Sequence, residues 1–253
     1  MQRSRAVLAL LLLAAGPVAF GQGTITFGNA SYVLSASHWD ATPDADLTGV
    51  GNGDQLYEAG WWFRIQGDTR ETFFPTPTTQ NYTGGTARIA WVDLGGRGLS
   101  VTKTHTILGI AGQGGVATTL SVTNNGASAI TLHLFQLIDL DVNGSAGGDS
   151  AALVQPFNTI RVTDATAGYC EWRGHDAVGY LVLPFGATDV SAQLRDAAVT
   201  NFANTGLPFG SGDFTGGLQW TLYLSPGASE TVQVYLNCNE SLVPVSLQRF
   251  EVD

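Results

Sequence analysis

The chain has 253 residues, and its 11 Lys plus Arg face 21 Asp plus Glu, for a formal charge of -10 at pH 7. Such a surface repels nucleic acid and anionic lipid and suits cations, neutral sugars or basic partners. Thirty-two glycines and a 44% hydrophobic content describe a turn-rich chain that is still apolar enough to bury a sizeable core.

Arg3 and Arg5, the apolar run from Ala6 to Ala15, and then Ala19-Phe20-Gly21 follow the basic, apolar, small-x-small order of a secretory signal peptide. The expectation is removal of residues 1–21, a mature domain over 22–253, and a periplasmic or secreted location. The apolar run is shorter than the roughly 20 residues a spanning helix needs. No later stretch is longer, so the mature chain is expected to carry no membrane span.

An acidic, Gly-rich run follows, with Asp40, Asp44, Asp46 and Asp54 around Gly49, Gly51 and Gly53. It matches no calcium-loop spacing and reads as an exposed loop, with a second cation site as the alternative. His38 has no second His at ligand spacing to make a zinc pair.

Period-two alternation begins at residue 57, where Tyr57, Ala59, Trp61, Phe63 and Ile65 share one face and Glu58, Trp62, Arg64 and Gln66 the other. This is a strand with one face expected to be wet. On that reading Trp62, between Glu58 and Arg64, is a candidate sugar-stacking ring, with Tyr223 and Tyr235 on similarly polar faces. The competing reading, and the one favoured for a two-layer fold with extra loops, is that this face is covered and Trp62 is core.

Thr76 to Gly85 is loop-rich, and Asn124-Asn125-Gly126 reads as a hairpin turn because Asn and Gly tolerate positive φ. The next strand places Ile130, Leu132, Leu134 and Ile138 opposite Thr131 and His133. His105 and His133 sit singly within strands and read as structural residues.

That strand runs into Asp139-Leu140-Asp141-Val142-Asn143-Gly144, with Asp149 five residues further on. The D-x-D-x-N-G spacing presents side-chain oxygens as a calcium loop does, and the glycine permits the sharp turn. Asp139, Asp141, Asn143 and Asp149 are therefore candidate calcium ligands. The last position of the template is Ser150 rather than Glu, and a solvated, Gly-rich turn is the alternative.

The run Glu171-Trp172-Arg173-Gly174-His175-Asp176 is the densest mixed-charge cluster. Together with Glu58 and Glu71 it holds the groups that glycoside hydrolysis or lyase chemistry would draw on, although spacing assigns none of them a catalytic role. Cys170 and Cys238, the only two cysteines, are expected to form one disulfide in an exported chain. Ser191 to Phe202 is the one helical stretch, capped by Asp189 or Ser191 with Leu194, Ala197 and Ala198 on one side. Asn204 to Gly217 is again loop-rich. Leu218, Trp220, Leu222 and Leu224 then alternate with Gln219, Thr221 and Tyr223.

The fold class is all-β: one large antiparallel two-sheet sandwich with at most one short helix. Leu120-Ser121-Val122-Thr123-Asn124-Asn125-Gly126, Leu134-Phe135, the 139–144 run, Gly212-Asp213 and Leu218-Gln219-Trp220 resemble an uncharacterised group of exported bacterial β-sandwich proteins. Members of that group often end in a Pro-Glu-Pro sorting tail, whereas this sequence closes on Phe250-Glu251-Val252-Asp253. The arrangement is also similar to the large supersandwich of galactose mutarotases. That enzyme's catalytic carboxylate and histidines map onto no residues here, so the resemblance implies fold and export and no catalytic role.

The function read from the sequence is an exported, calcium-stabilised, non-catalytic binding or structural surface protein, with an extracellular glycan or cell-surface component as partner. The alternative is a carbohydrate-active enzyme, mutarotase-, lyase- or hydrolase-like, using a concave sheet face.

Overall fold

The computed structural model describes residues 23–34, 46–110, 113–154 and 159–239. The expected signal segment at 1–21, with His38, Asp40 and Asp44, lies outside them. The first strands are Gly23–Phe27 (β1), Ala30–Leu34 (β2), Leu47–Thr48 (β3), Glu58–Ile65 (β4), Thr72–Phe73 (β5) and Thr79–Thr83 (β6). Next come Thr86–Trp91 (β7), Leu99–Ile110 (β8), Gln113–Asn124 (β9), Ile130–Leu140 (β10), Asp149–Val154 (β11) and Thr159–Thr163 (β12). Tyr169–His175 (β13) and Gly179–Pro184 (β14) precede a short helix, Val190–Arg195 (α1). Phe209–Gly212 (β15), Phe214–Leu224 (β16) and Ser229–Cys238 (β17) complete the order.

Nine strands form one sheet in the order β15-β11-β12-β13-β17-β9-β8-β7-β6, and five form the facing sheet in the order β14-β16-β10-β4-β5. A small third sheet, β1-β2-β3, adds Ile25, Tyr32 and Leu34 to the same core. The alternation that predicted strands supplies that core. Leu132, Leu134 and Ile138 of β10, Trp61 and Phe63 of β4, and Leu218 and Trp220 of β16 share one buried cluster with Trp172, Leu120, Val122, Val234 and Leu236 of the larger sheet. Each large side chain so buried contributes about 1.5–3 kcal/mol. The Trp172 indole N–H donates to the Gln136 Oε1 at 3.2 Å, which satisfies a polar pair between the layers.

The other face of the five-stranded sheet is covered, which makes Trp62 core, as favoured above, and corrects the wet face and ligand contact offered for Glu58, Trp62 and Arg64. A second cluster joins Trp62, Phe135, Leu137 and Leu181 to Val190 and Leu194 of α1 and to Phe202 beyond it. Period-two alternation reports that a face carries polar atoms, and burial is possible when those atoms are paired. Arg64 Nε lies 3.0 Å from Glu71 Oε1, and its Nη2 donates to Asn201 Oδ1 at 2.7 Å, so the charged end of the face closes without an orphaned cation. Gly217 makes room for the cover, since a Cβ there would lie 2.5 Å from the Phe202 ring.

Three local expectations are corrected. The helix ends at Arg195 rather than Phe202, because Asp196 is extended and its carboxylate accepts the Ala198 N–H at 2.7 Å, a side-chain turn that competes with the helix. Its cap is Asp189, which accepts from the Ala192 N–H. Asn124-Asn125-Gly126 is no hairpin: β9 and β10 belong to different sheets, and the turn carries the chain from one layer to the other. The Asn124 side chain donates to the Ser128 and Leu224 carbonyls and accepts the Gly126 N–H, which fixes the crossover. The loop-rich stretches at 76–85 and 204–217 contain β6, β15 and the start of β16.

Cys170 and Cys238 are directly opposite in the β13–β17 register, fully buried and disulfide-bonded. Their separation of 68 residues corresponds to about 4 kcal/mol of loop-closure stabilisation. Among the described residues, no helix is long and apolar enough to cross a membrane.

Candidate metal centre

Asp139 is the penultimate residue of β10, opposite Thr215 of β16 and Glu58 of β4. Alternation puts it on the covered face with Phe135 and Leu137, where it is 1% exposed. Asp141 follows the strand and opens a single 3₁₀ turn, Val142–Gly144, while Asp213 is the link between β15 and β16. Two neighbouring strands thus bring their acidic ends to one corner of the sheet, and one carboxylate oxygen from each of Asp139, Asp141 and Asp213 lies within 4.8 Å of the others. The three carboxylates can hold a metal ion.

The electrostatics of this corner are one-sided. Neither oxygen of Asp139 has a hydrogen-bond partner, and the same is true of Asp149, which opens β11 and is 0% exposed. A buried carboxylate without donors costs several kcal/mol if ionised, and it responds by holding its proton. Burial first, and then the charges of Asp213, Asp141, Glu58 and Asp189, push Asp139 up to about 9. Burial, with Asp141, Asp164 and Asp213, pushes Asp149 up to about 7. Asp141 and Asp213 are raised as well, chiefly by burial.

Of the four expected calcium ligands, Asp139 and Asp141 meet in this group. Asp149 is coupled to it electrostatically from the next strand, and Asn143 turns away. With φ 60°, Asn143 accepts from the Asn52 N–H at 3.3 Å, donates to Thr166 Oγ1 at 3.1 Å, and gives its own N–H to Gln55 Oε1 at 3.0 Å. The D-x-D-x-N-G template assumes a loop wrapped around the ion. Here its first residue belongs to a strand, and the turn that follows packs on the 51–55 segment. Asp213 was missed because it is remote in sequence, although Gly212-Asp213 belongs to the stretch that carries the family resemblance. Asp54, from the earlier acidic run, accepts the Leu47 and Leu56 N–H groups at 2.9 and 3.1 Å and serves as a local turn residue.

A cavity of 180 Å³ opens beside the group, lined by Tyr57, Asp139, Asp141, Ala146, Phe185 and Asp213. Tyr57 and Phe185 are 40% and 45% exposed, and their rings meet edge-to-face at 5.8 Å. Both are tied to the acids through backbone: the Tyr57 N–H donates to the Asp139 carbonyl at 3.0 Å and the Phe185 N–H to the Asp213 carbonyl at 2.9 Å.

The other candidates lie elsewhere. Trp62 is 1% exposed inside the second cluster and presents no ring face, and Glu58 and Arg64 are buried with it. Tyr223 is 75% exposed and borders a 250 Å³ cavity with His175, Asp176 and Glu230. A larger cavity of 580 Å³ is lined by Arg173, His175, Asp176, Tyr180 and Asn204 among others. Of the 171–176 run, Glu171 is held by Arg161, whose Nε donates to it at 2.9 Å, whereas Arg173 and the exposed His175–Asp176 pair, 2.9 Å apart, line this cavity. His105 and His133 are hydrogen-bonded to Thr118 and Thr221 within the sheets.

No protein-family model and no curated sequence matches the chain. Solved structures do. A putative aldose 1-epimerase from Escherichia coli K12 aligns at TM-score 0.53 and 10% identity, over 87% of this chain and 99% of its own. A galactose mutarotase-like protein from Lactobacillus casei aligns at TM-score 0.53 and 8% identity, over 86% of this chain and 100% of its own. The chain has the galactose mutarotase-like fold. A bacterial glucoamylase solved with acarbose aligns at TM-score 0.57 and 9% identity over 85% of this chain, which spans only 31% of the glucoamylase. At these identities the galactose mutarotase-like likeness is one of fold, and the site must be argued from its own residues.

Proposed function

We propose that this chain is an exported, calcium-stabilised, non-catalytic binding protein of the cell exterior, with the ion held by Asp139, Asp141 and Asp213. The observation that carries the reading is Asp139: a carboxylate buried to 1% exposure, with both oxygens unpartnered, within 4.8 Å of two more carboxylates. A divalent cation supplies the positive charge that such a group lacks. The donor set is all oxygen, with no His or Cys in the group, which favours a hard cation over zinc or copper. Calcium suits it better than magnesium, because ligands drawn from a strand, a 3₁₀ turn and an inter-strand link need an ion that tolerates irregular geometry. The signal-like segment and the buried disulfide support export.

A non-catalytic role is favoured because the sheet face proposed to carry Trp62 is filled by core side chains. The second reading, a carbohydrate-active enzyme, draws on the fold of the structural neighbours and on the 580 Å³ cavity with its His175–Asp176 pair. The test is the thermal midpoint in chelator and in about 10 mM calcium, with magnesium as control. A dissociation constant of about 0.1 mM would stabilise the fold by about 2.7 kcal/mol, or roughly 5–10 °C. No calcium-specific rise refutes the first reading. Turnover of aldoses or glycans that is lost in His175→Ala establishes the second.

A further inference from the structure

We propose that the 180 Å³ cavity beside the acidic group is a carbohydrate subsite, in which a bound cation and the Tyr57–Phe185 pair together hold one ring of a neutral glycan. The inference rests on the metal reading above and adds the ligand class and the residues that contact it.

Three observations carry it. The cavity is lined by three acids, Asp139, Asp141 and Asp213, together with two exposed aromatic residues, Tyr57 and Phe185. Asp139, buried and unpartnered, belongs to both the metal group and the cavity wall, so an ion held there would face the cavity. The main chain that carries the rings is fixed to that of the acids by the Tyr57 N–H to Asp139 carbonyl and Phe185 N–H to Asp213 carbonyl bonds, and the rings meet at 5.8 Å. The backbone is therefore preorganised, and the ordering cost of binding falls on the side chains alone.

A sugar ring presents vicinal hydroxyl oxygens along one edge and C–H groups on its faces. Calcium takes six to eight oxygen ligands, so three carboxylates leave positions for two hydroxyls of a ring. The C–H face then packs on Tyr57 or Phe185, whose exposed apolar surface is otherwise unexplained at an acidic corner. The volume, 180 Å³, is below the about 300–1,000 Å³ of a pocket for a drug-sized ligand, and it suits a single ring at the end or side of a chain. Three carboxylates against one divalent ion leave one net negative charge, and Glu58 and Asp189 lie close enough to act on Asp139. That balance selects neutral sugars and rejects uronates and sulfated rings.

The experiment is calorimetric titration of the full chain with D-mannose, D-galactose, D-glucose and L-fucose, each to about 50 mM, in calcium and in EGTA. Wild-type protein is compared with Tyr57→Ala and Phe185→Ala. The expected result is saturable binding of at least one sugar in calcium, absence of binding in EGTA, and at least tenfold weaker binding in Tyr57→Ala, whose calcium-induced thermal shift is retained. Galacturonate is expected to bind at least tenfold more weakly than galactose. If the calcium shift is present and none of the four sugars binds, the subsite is overturned and the metal site stands. Equal binding in EGTA, or full affinity in both aromatic variants, also overturns it. Absence of the calcium shift shows that the metal reading itself has failed, and the subsite falls with it.

Discussion

Replacing Asp139 by Asn separates the cost of burying its charge from the benefit of binding an ion. In the unfolded chain the carboxyl titrates near its ordinary 3.8, whereas in the fold burial and neighbouring acids push it up to about 9. Between those values the native state keeps a proton that the unfolded chain has lost. Stability in the absence of cation is therefore fully present below about pH 4 and falls as pH rises, by about 1.4 kcal/mol per unit. From pH 5 to 8 this is about 4 kcal/mol, or roughly 8–16 °C in midpoint for a chain of this size. Asp149, pushed up to about 7, adds to the same trend at lower pH. His105 and His133 act in the opposite sense, because burial holds both below the ordinary value and the unfolded chain takes up their protons first. The difference between wild type and Asp139→Asn cancels these other groups. In EDTA, Asp139→Asn is expected to melt above wild type by a margin that widens by roughly 8–16 °C between pH 5 and pH 8. In 10 mM calcium the gap at pH 8 is expected to shrink by about 2.7 kcal/mol, or roughly 5–10 °C, because only the wild-type carboxylate neutralises the ion. Circular dichroism melts at pH 5, 6.5 and 8 measure both. A wild-type minus variant difference that does not change with pH in EDTA, or a wild type that melts higher in both media at pH 8, refutes the argument.

Three further outcomes follow from the packing. Cys170→Ser with Cys238→Ser is expected to lose about 2–5 kcal/mol, and an unchanged denaturant midpoint in wild type with and without dithiothreitol would contradict a stabilising disulfide. Trp62→Ala removes a fully buried ring from the second cluster and is expected to cost about 3–5 kcal/mol; a loss below about 1 kcal/mol would mean that the face is open. Arg64→Met leaves Glu71 buried without its cation and is expected to cost about 3–5 kcal/mol, most of it recovered in Arg64→Met with Glu71→Leu, and an additive double variant would contradict the pairing.

The all-β fold was legible because period-two alternation at Trp61–Ile65, Leu132–Ile138 and Leu218–Leu224 reports directly which side chains the core receives. Burial of Trp62 was the favoured reading, but the cover over it was not legible. It depends on α1 and Phe202, more than a hundred residues away, and on the Arg64–Glu71 ion pair, none of which alternation encodes. The Asn124–Gly126 turn shows the same boundary: its residues specify a bend, and only the sheet order assigns its flanking strands to different layers. At the site, the spacing picked out Asp139 and Asp141, two of the three acids that come together, for a local reason, since both flank the end of one strand. Asp213 joins them only because β16 pairs with β10. Asn143 fitted the template by sequence, yet its side chain is bound to the 51–55 segment and Thr166, a contact fixed by tertiary packing.

The most direct test of the central claim is calorimetric titration of the chelator-stripped chain with calcium chloride, alongside Asp213→Asn. One calcium per chain with a dissociation constant of about 0.1 mM or tighter, weakened at least tenfold in the variant, is the predicted result. No saturable heat up to about 10 mM calcium, or an affinity that Asp213→Asn leaves unchanged, would contradict it.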